Sequence, residues 1–167
     1  MSTQLRRAQR FFYSADDLFD LVSDVRHYPN FIHQITAMRV TDETRTAHGF
    51  QLKAEARVRY KFVTERFTTV VHADENKRTI EVEFVSGPFR KLENNWRFHA
   101  LSDGSCLVEF YINAAFRNPV LQMLLDSNRE RAVSVLISRF QDEAKRRYTP
   151  TGDPSVQLDD EIHALQQ

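Results

Sequence analysis

Strict alternation of apolar and polar residues over 50–62 is the feature that most constrains how this chain can fold. Every even position from Phe50 to Phe62 is apolar, and every odd position from Gln51 to Lys61 is polar. Because successive side chains of a β-strand point to opposite faces, this pattern buries one face and leaves the other in water. The same alternation recurs over 80–84 and 106–116, which is typical of an antiparallel sheet.

Cap and turn residues divide the N-terminal part of the chain into three elements. Residues 5–12 predict a first strand. Ser14 is a suitable N-cap for a helix over about 15–25. Tyr28-Pro29 interrupts this helix, since proline disfavours helical geometry at the residue before it, and 30–34 predicts a second short helical turn.

The remainder predicts strands followed by one long helix. About six strands are expected between 35 and 116, with hairpin turns at 75–77 and 103–104. Asn118 as N-cap and Pro119 at the first helical position start a helix that runs to about 147. This order predicts an α+β helix-grip fold, in which a curved antiparallel sheet wraps around a long C-terminal helix.

Length indicates a single domain over residues 1–148, followed by a polar tail over 149–167 that we expect to be disordered and dispensable. The 23 basic and 23 acidic residues balance, so nothing overall attracts nucleic acid or an anionic membrane. Residues 1–10 lack the apolar core of a signal peptide, and no apolar run approaches the length of a membrane span. We therefore expect a cytoplasmic protein.

Motifs for catalysis and for metal or phosphate binding are missing from the sequence. It lacks Gly-x-Ser-x-Gly, a phosphate-binding glycine loop and His-Glu-x-x-His. Its six histidines are scattered, and its one cysteine, Cys106, falls on the inward register of a strand, where an inert buried thiol is expected. The sequence thus predicts no catalytic residue, no metal site and no cofactor.

Two interpretations remain open for the inward face of the predicted sheet. Its many aromatic residues can form an ordinary core. However, small residues share that face, and small residues opposite a long helix either allow close packing or leave a void. An elongated apolar cavity between sheet and helix is the alternative. These small residues are Ala54, Ala56, Thr69 and Ala114.

Arg129 is a local inconsistency in the long helix. It belongs to an apolar stripe that includes Leu125, Ala132 and Leu136 at helical spacing. An arginine in such a stripe must extend to water, pair with a carboxylate or contact a polar group of a ligand.

Three segments carry a resemblance to a known family: 19–31 with Tyr28-Pro29-Asn30-Phe31, 85–98 with Gly87-Pro88-Phe89 and Trp96, and Phe116 to Pro119. Together they resemble the coenzyme Q-binding branch of the START-like (polyketide cyclase) superfamily, whose fold is START-like and Bet v 1-like. The resemblance implies non-catalytic binding of ubiquinone or a related isoprenoid quinone in support of respiration. It also implies a transient contact with the inner-membrane surface or the respiratory chain, and no DNA partner.

The resemblance further implies where the ligand would bind. Tyr28 to Phe31 would form a lid at one end of a tunnel, Gly87-Pro88-Phe89 a hairpin that faces it, and aromatic side chains the walls. The complete set of expected ligand-binding residues is Tyr28, Phe31, Tyr60, Phe84, Phe89, Trp96, Phe110, Phe116, Leu121, Leu125, Arg129 and Leu136.

Two other functions are compatible with the same resemblance. One is that of a bacterial ribosome-association toxin that binds the large ribosomal subunit. The other is that of an aromatic polyketide cyclase or dehydrase, which needs an acid/base pair on the inward face. Arg129 and Tyr60 are among the few ionisable residues expected there, so the enzyme is the weakest of the three hypotheses.

Overall fold

Seven antiparallel strands form one curved sheet in the computed structural model, which describes residues 2–167. Met1, the first residue of the predicted domain, lies outside the described residues. The spatial order of the strands is β1-β7-β6-β5-β4-β3-β2. Their bounds are β1 Thr3–Phe11, β2 Ile35–Arg45, β3 Gly49–Tyr60, β4 Val63–Asp74, β5 Thr79–Ser86, β6 Phe89–Ala100 and β7 Cys106–Phe116.

Four α-helices accompany the sheet within residues 2–167. They are α1 Ala15–Ser23, α2 Tyr28–Phe31, α3 Pro119–Arg147 and α4 Asp159–Leu165, with a 3₁₀ turn at Val25–His27. The Asn118 side chain caps α3 by accepting the Val120 N–H at 2.8 Å. The predicted helix-grip fold, with its long C-terminal helix, is confirmed. None of these helices is both long and apolar enough to cross a bilayer.

Pairing places alternate residues of neighbouring strands on one concave face. One row across this face consists of Leu52, Val71, Val82, Asn94, Ile112 and Leu5. The alternation seen in the sequence holds along β3 but ends before Phe62. That residue lies in the β3–β4 turn and is 81% exposed, because β3 ends at Tyr60 and Phe62 has no strand register.

Polar contacts hold α3 against the edge strand β1. Arg7 donates to Ser134 Oγ at 2.8 Å and to Glu130 Oε2 at 2.9 Å. Nearer the start of α3, the Gln122 side chain is buried; it donates to Thr3 Oγ1 at 2.9 Å and accepts the Phe116 N–H at 2.7 Å. Both ends of the first half of α3 are thereby tied to the β1–β7 side of the sheet.

The C-terminal tail differs from the disordered segment expected from its composition. The Thr151 N–H donates to the Phe12 carbonyl at 2.9 Å, and Glu161 in α4 accepts bonds from the N–H and hydroxyl of Ser102. These contacts join the tail to the β1 end and the β6–β7 turn. Specific hydrogen-bond partners on the domain, which the polar composition of the tail does not reveal, account for the difference.

Asp103 is the centre of this attachment. Its carboxylate accepts bonds from Arg10 at 2.6 Å, from the Asp153 N–H at 2.9 Å and from the Ser105 N–H at 3.0 Å. Burial by itself raises the pKa of Asp103, but hydrogen bonds from Ser105, Asp153 and Arg10 outweigh it and hold the pKa well below its ordinary range. The folded protein therefore favours the charged carboxylate.

We predict that Asp103→Asn lowers the free energy of unfolding by about 1–3 kcal/mol at neutral pH, because buried donors lose a charged acceptor. The folded-state pKa lies below the unfolded value, so this contribution is complete above an unfolded pKa of about 3.9 and is lost as pH falls towards the folded value. Urea denaturation at pH 7 and in acid measures the free energies of unfolding of the parent and the variant, and the difference between them should narrow below about pH 4.

Asp42→Asn is the matched control, since Asp42 is exposed and asparagine tolerates its positive φ of 53°. Equal stabilities of the two variants at neutral pH would contradict the assigned role of Asp103.

Candidate functional site

We call the region between α3 and the middle strands, whose facing side chains are half-buried, the concave groove. Its floor is the sheet side chains Val82, Phe84, Leu92, Asn94 and Ile112, and its roof is Leu121, Leu125 and Leu136 of α3; all eight are half-buried. Among the strands, α3 lies close to β1 and β7. Apolar side chains on the facing surfaces are therefore left without the complete burial typical of a closed core.

An aromatic cluster closes the groove beside the second half of α3. The ring of Phe140 lies 5.4 Å from those of Tyr28, Phe31 and Trp96, in edge-to-face geometry. Phe110 adds a further edge contact to Trp96 at 4.8 Å. Such pairs contribute beyond their buried area, so this end is well packed.

Hydrogen bonds and charges fasten α2 over this cluster. The Tyr28 hydroxyl donates to the Val22 carbonyl, and burial raises its pKa, so the phenol stays neutral. The Arg147 guanidinium lies 5.7 Å from the centre of the Phe31 ring and donates to the buried carboxylate of Glu143 at 2.6 Å. Hydrogen bonds from Arg146 and Arg147, opposed by burial, lower the pKa of Glu143.

A second aromatic cluster lies at the opposite end of the sheet. Phe89 stacks on Phe116 at 4.5 Å and meets the edges of Phe67 at 5.4 Å and Phe84 at 5.9 Å. Gly87 permits this arrangement, because its φ is 140° and a Cβ there would lie 2.5 Å from the Phe67 Cβ.

The two segments expected at the tunnel mouth belong to different aromatic clusters. Tyr28 and Phe31 lie in the first cluster, and Phe89 lies in the second. Phe89 lies seven residues before Trp96 on β6, which corresponds to about 23 Å along an extended strand. The two aromatic clusters are therefore separated along β6.

Two other expected site residues are exposed to water. Tyr60 is 36% exposed, because it ends β3 at the tip of the β3–β4 hairpin. Arg129 is exposed, contrary to its expected place against the sheet. Arg129 lies four residues after Leu125 and seven before Leu136, so it shares the helix face that roofs the groove. Its side chain extends to water, which is one of the three outcomes that its place in the stripe allows.

Sequence reasoning missed Asn94 and Phe140 as site residues. Asn94 is a polar side chain at the middle of the concave face, where it accepts the Trp96 indole N–H at 3.0 Å and donates to the Tyr111 carbonyl at 2.9 Å. The sequence did indicate the inward position of Asn94, because this residue alternates with Leu92 and Trp96 on the inward register. From the sequence, Phe140 could be identified only as an apolar residue of the long helix. Its position at the centre of the aromatic cluster depends on how α2 packs against it.

The titratable groups offer little for catalysis at the groove. Burial raises the pKa of Cys106 to about 12, so it remains a thiol at neutral pH. The inward Arg7 is bound to Glu130 and Ser134. Within residues 2–167, no group of three His, Cys, Asp or Glu side chains is placed to hold a metal ion. The groove is suited to binding an apolar molecule.

Two surface hollows lie outside the groove. One, of about 530 Å³, is beside the start of α3 and is lined by Arg90, Arg117 and Met123, among others. The other, of about 700 Å³, is lined mainly by polar side chains of the convex face, including His72 and His99. Neither is the elongated apolar tunnel that the sequence suggested as one alternative.

Curated relatives cover nearly the whole chain. The chain is 30% identical over 148 residues to a Pseudomonas aeruginosa protein named ribosome association toxin RatA, covering 89% of this chain and 99% of the relative. It is 29% identical over 146 residues to the persistence and stress-resistance toxin PasT of Escherichia coli O6:H1, covering 87% and 89%.

Solved structures share the fold, and a family model matches most of the chain. An 18 kDa Caulobacter crescentus protein is 35% identical with a TM-score of 0.72, covering 87% of this chain and 97% of that one. The Zhui aromatase/cyclase of Streptomyces sp. R1128 has a TM-score of 0.77 at 14% identity, covering 88% and 96%. The model described as polyketide cyclase/dehydrase and lipid transport matches residues 13–141. The chain therefore belongs to the polyketide cyclase/dehydrase and lipid transport family.

Proposed function

We propose that this protein is a non-catalytic, cytoplasmic binding protein that holds an isoprenoid quinone of the ubiquinone type in its concave groove. The supporting observation is the row of half-buried apolar side chains that face each other across the groove, such as Val82 and Ile112 on the sheet and Leu125 on α3. Each Å² of apolar surface removed from water contributes about 25 cal/mol. An isoprenoid tail needs no directional contact to gain affinity there.

Asn94 is the side chain that we propose contacts the quinone head group. One amide hydrogen is used by the Tyr111 carbonyl, and the carbonyl oxygen accepts the Trp96 N–H. The amide nitrogen carries a second hydrogen that can donate to a quinone carbonyl. Asn94 suits this role better than Arg129, because the Arg129 side chain is exposed to water.

Filling the groove should weaken quinone binding. We predict that Leu125→Phe lowers quinone affinity at least about tenfold, because the larger ring occupies space needed by the tail. Quenching of Trp96, the one tryptophan of the chain, provides the titration signal. Ser138→Phe, at an exposed position on the other side of α3, is the control and should bind like the parent protein; equal loss in both variants would refute the groove as the site.

Removing the Asn94 amide should separate head-group from tail recognition. We predict that Asn94→Leu lowers quinone affinity about fivefold or more while leaving an isoprenoid hydrocarbon without a head group unaffected, since one hydrogen bond is lost. Titration of both ligands checks this, with unfolding curves to confirm that the variant is folded. Asn95→Leu, on the outward register, is the control; parallel losses for both ligands would mean that Asn94 shapes the groove and does not bind the head group.

Association with the ribosome is the second candidate function. The names of relatives that match almost the entire chain favour it. We predict that, under this alternative, the purified protein co-sediments with large ribosomal subunits and takes up no quinone. Sucrose-gradient sedimentation, together with mass spectrometry of lipid extracted from the protein, separates the two functions.

Cyclase or dehydrase chemistry has the least support. An acid/base pair would have to face the groove, yet Arg129 and Tyr60, the expected candidates, are exposed. The fold shared with an aromatase/cyclase at 14% identity concerns architecture alone.

A further inference from the structure

The tip of the β3–β4 hairpin extends beyond both neighbouring strands, because the pairing of β2 with β3 ends at Val58. The pairing of β4 with β5 ends at Thr68, whereas β3 and β4 continue to pair with each other as far as Tyr60 and Val63. On the β5 side, these five residues of extended chain correspond to about 16 Å. Phe62 occupies the tip of this projection and is 81% exposed.

Most of the exposed large apolar side chains gather at this end. Val85 lies at the end of β5, and Val120 and Met123 lie in the first turns of α3; all three are exposed. Hydrogen bonds from Arg117 to the Pro88 and Gly87 carbonyls, both at 2.9 Å, hold the start of α3 beside the β5–β6 turn. We call segments 57–66, 85–91 and 116–123 together the basic end.

Charge is distributed unequally between the basic end and the rest of the chain. Its three segments contain seven of the 23 lysines and arginines but one of the 23 acidic residues, Glu65. All seven cations are exposed, and none takes part in an ion pair with another residue in the range 2–167. The rest of the chain has the opposite excess, so the neutral total conceals a strongly polarised molecule.

Cations around protruding apolar side chains match the chemistry of an anionic lipid surface. Phosphates attract the lysines and arginines, while Phe62, Val120 and Met123 gain free energy by entering the boundary between head groups and acyl chains. RNA offers the same phosphates, and its bases can stack on Phe62. It provides no apolar environment, however, into which the aliphatic side chains could be buried. The combination of residues favours lipid.

We infer that the basic end docks this protein on anionic phospholipid bilayers, with Phe62 inserted as an apolar wedge. This inference goes beyond ligand binding and needs no occupant in the groove. It would bring the half-open concave face close to a membrane in which apolar ligands dissolve.

Co-sedimentation with vesicles tests the inference. The vesicles contain phosphatidylcholine alone or mixed with phosphatidylglycerol, and neither contains quinone. The parent protein should bind the mixed vesicles and not the neutral ones. Arg59→Glu combined with Lys61→Asp should lower the partition coefficient at least about thirtyfold, and Phe62→Ser about tenfold. Aspartate is chosen at Lys61 because it tolerates the φ of 55° there.

Matched controls lie at the far end of the molecule. Lys145→Glu reverses the charge of an exposed lysine, which lies about 39 Å along α3 from Pro119. Val156→Ser removes an exposed apolar side chain of the tail. Both variants should bind the mixed vesicles as the parent does, and losses equal to those at the basic end would overturn the inference.

Insertion of residue 62 into the bilayer can be measured by tryptophan fluorescence. Phe62→Trp should show a blue-shifted emission on mixed vesicles, because the indole enters an apolar environment. No vesicle binding, together with oligouridylate binding that the Arg59 and Lys61 changes abolish, would make the basic end an RNA surface and overturn the lipid inference. Vesicle binding by Leu125→Phe should be unchanged, so failure of the quinone proposal and failure of this inference are separately visible.

Discussion

The polar attachment of α3 to the edge strand β1 is the constraint on which the concave groove depends. Arg7 binds Glu130 and Ser134, and Gln122 binds Thr3, so the helix follows one side of the sheet. A helix held by an apolar face alone would settle over the centre of the sheet to maximise buried area. Here charged and amide groups determine its path, and the apolar side chains over the middle strands remain half-buried.

The two ends of the concave face differ in how firmly they are closed. At the α2 end, Phe140 packs against three aromatic rings. The buried Glu143 accepts a hydrogen bond from Arg147 and so holds it beside Phe31. At the other end an aromatic cluster forms the floor and the tip of the β3–β4 hairpin is exposed, while Arg117 and Gln122 hold the start of α3 beside the β5–β6 turn and β1. The α2 end is therefore closed by packed rings, whereas the other end carries exposed apolar side chains.

Several properties could be derived from local sequence. Period-two alternation predicts the strands because strand side chains alternate faces, and Asn118 with Pro119 predicts the start of α3 because both suit a helix N-terminus. The buried thiol of Cys106 followed from its register. At the site, the inward register of Trp96 and Phe110 predicted their burial, and both lie in one aromatic cluster.

What the sequence determined was therefore the elements, their order and the faces of the strands, all of which depend on neighbours a few residues away. Tertiary structure alone decided that Arg129 is exposed, that Asn94 bonds to Trp96 and Tyr111, and that the tail docks through Asp103. It also brought three segments that are distant along the chain together at the basic end. These properties depend on contacts between residues far apart in the chain, and a neutral net charge or a helical spacing carries no information about which distant partners meet.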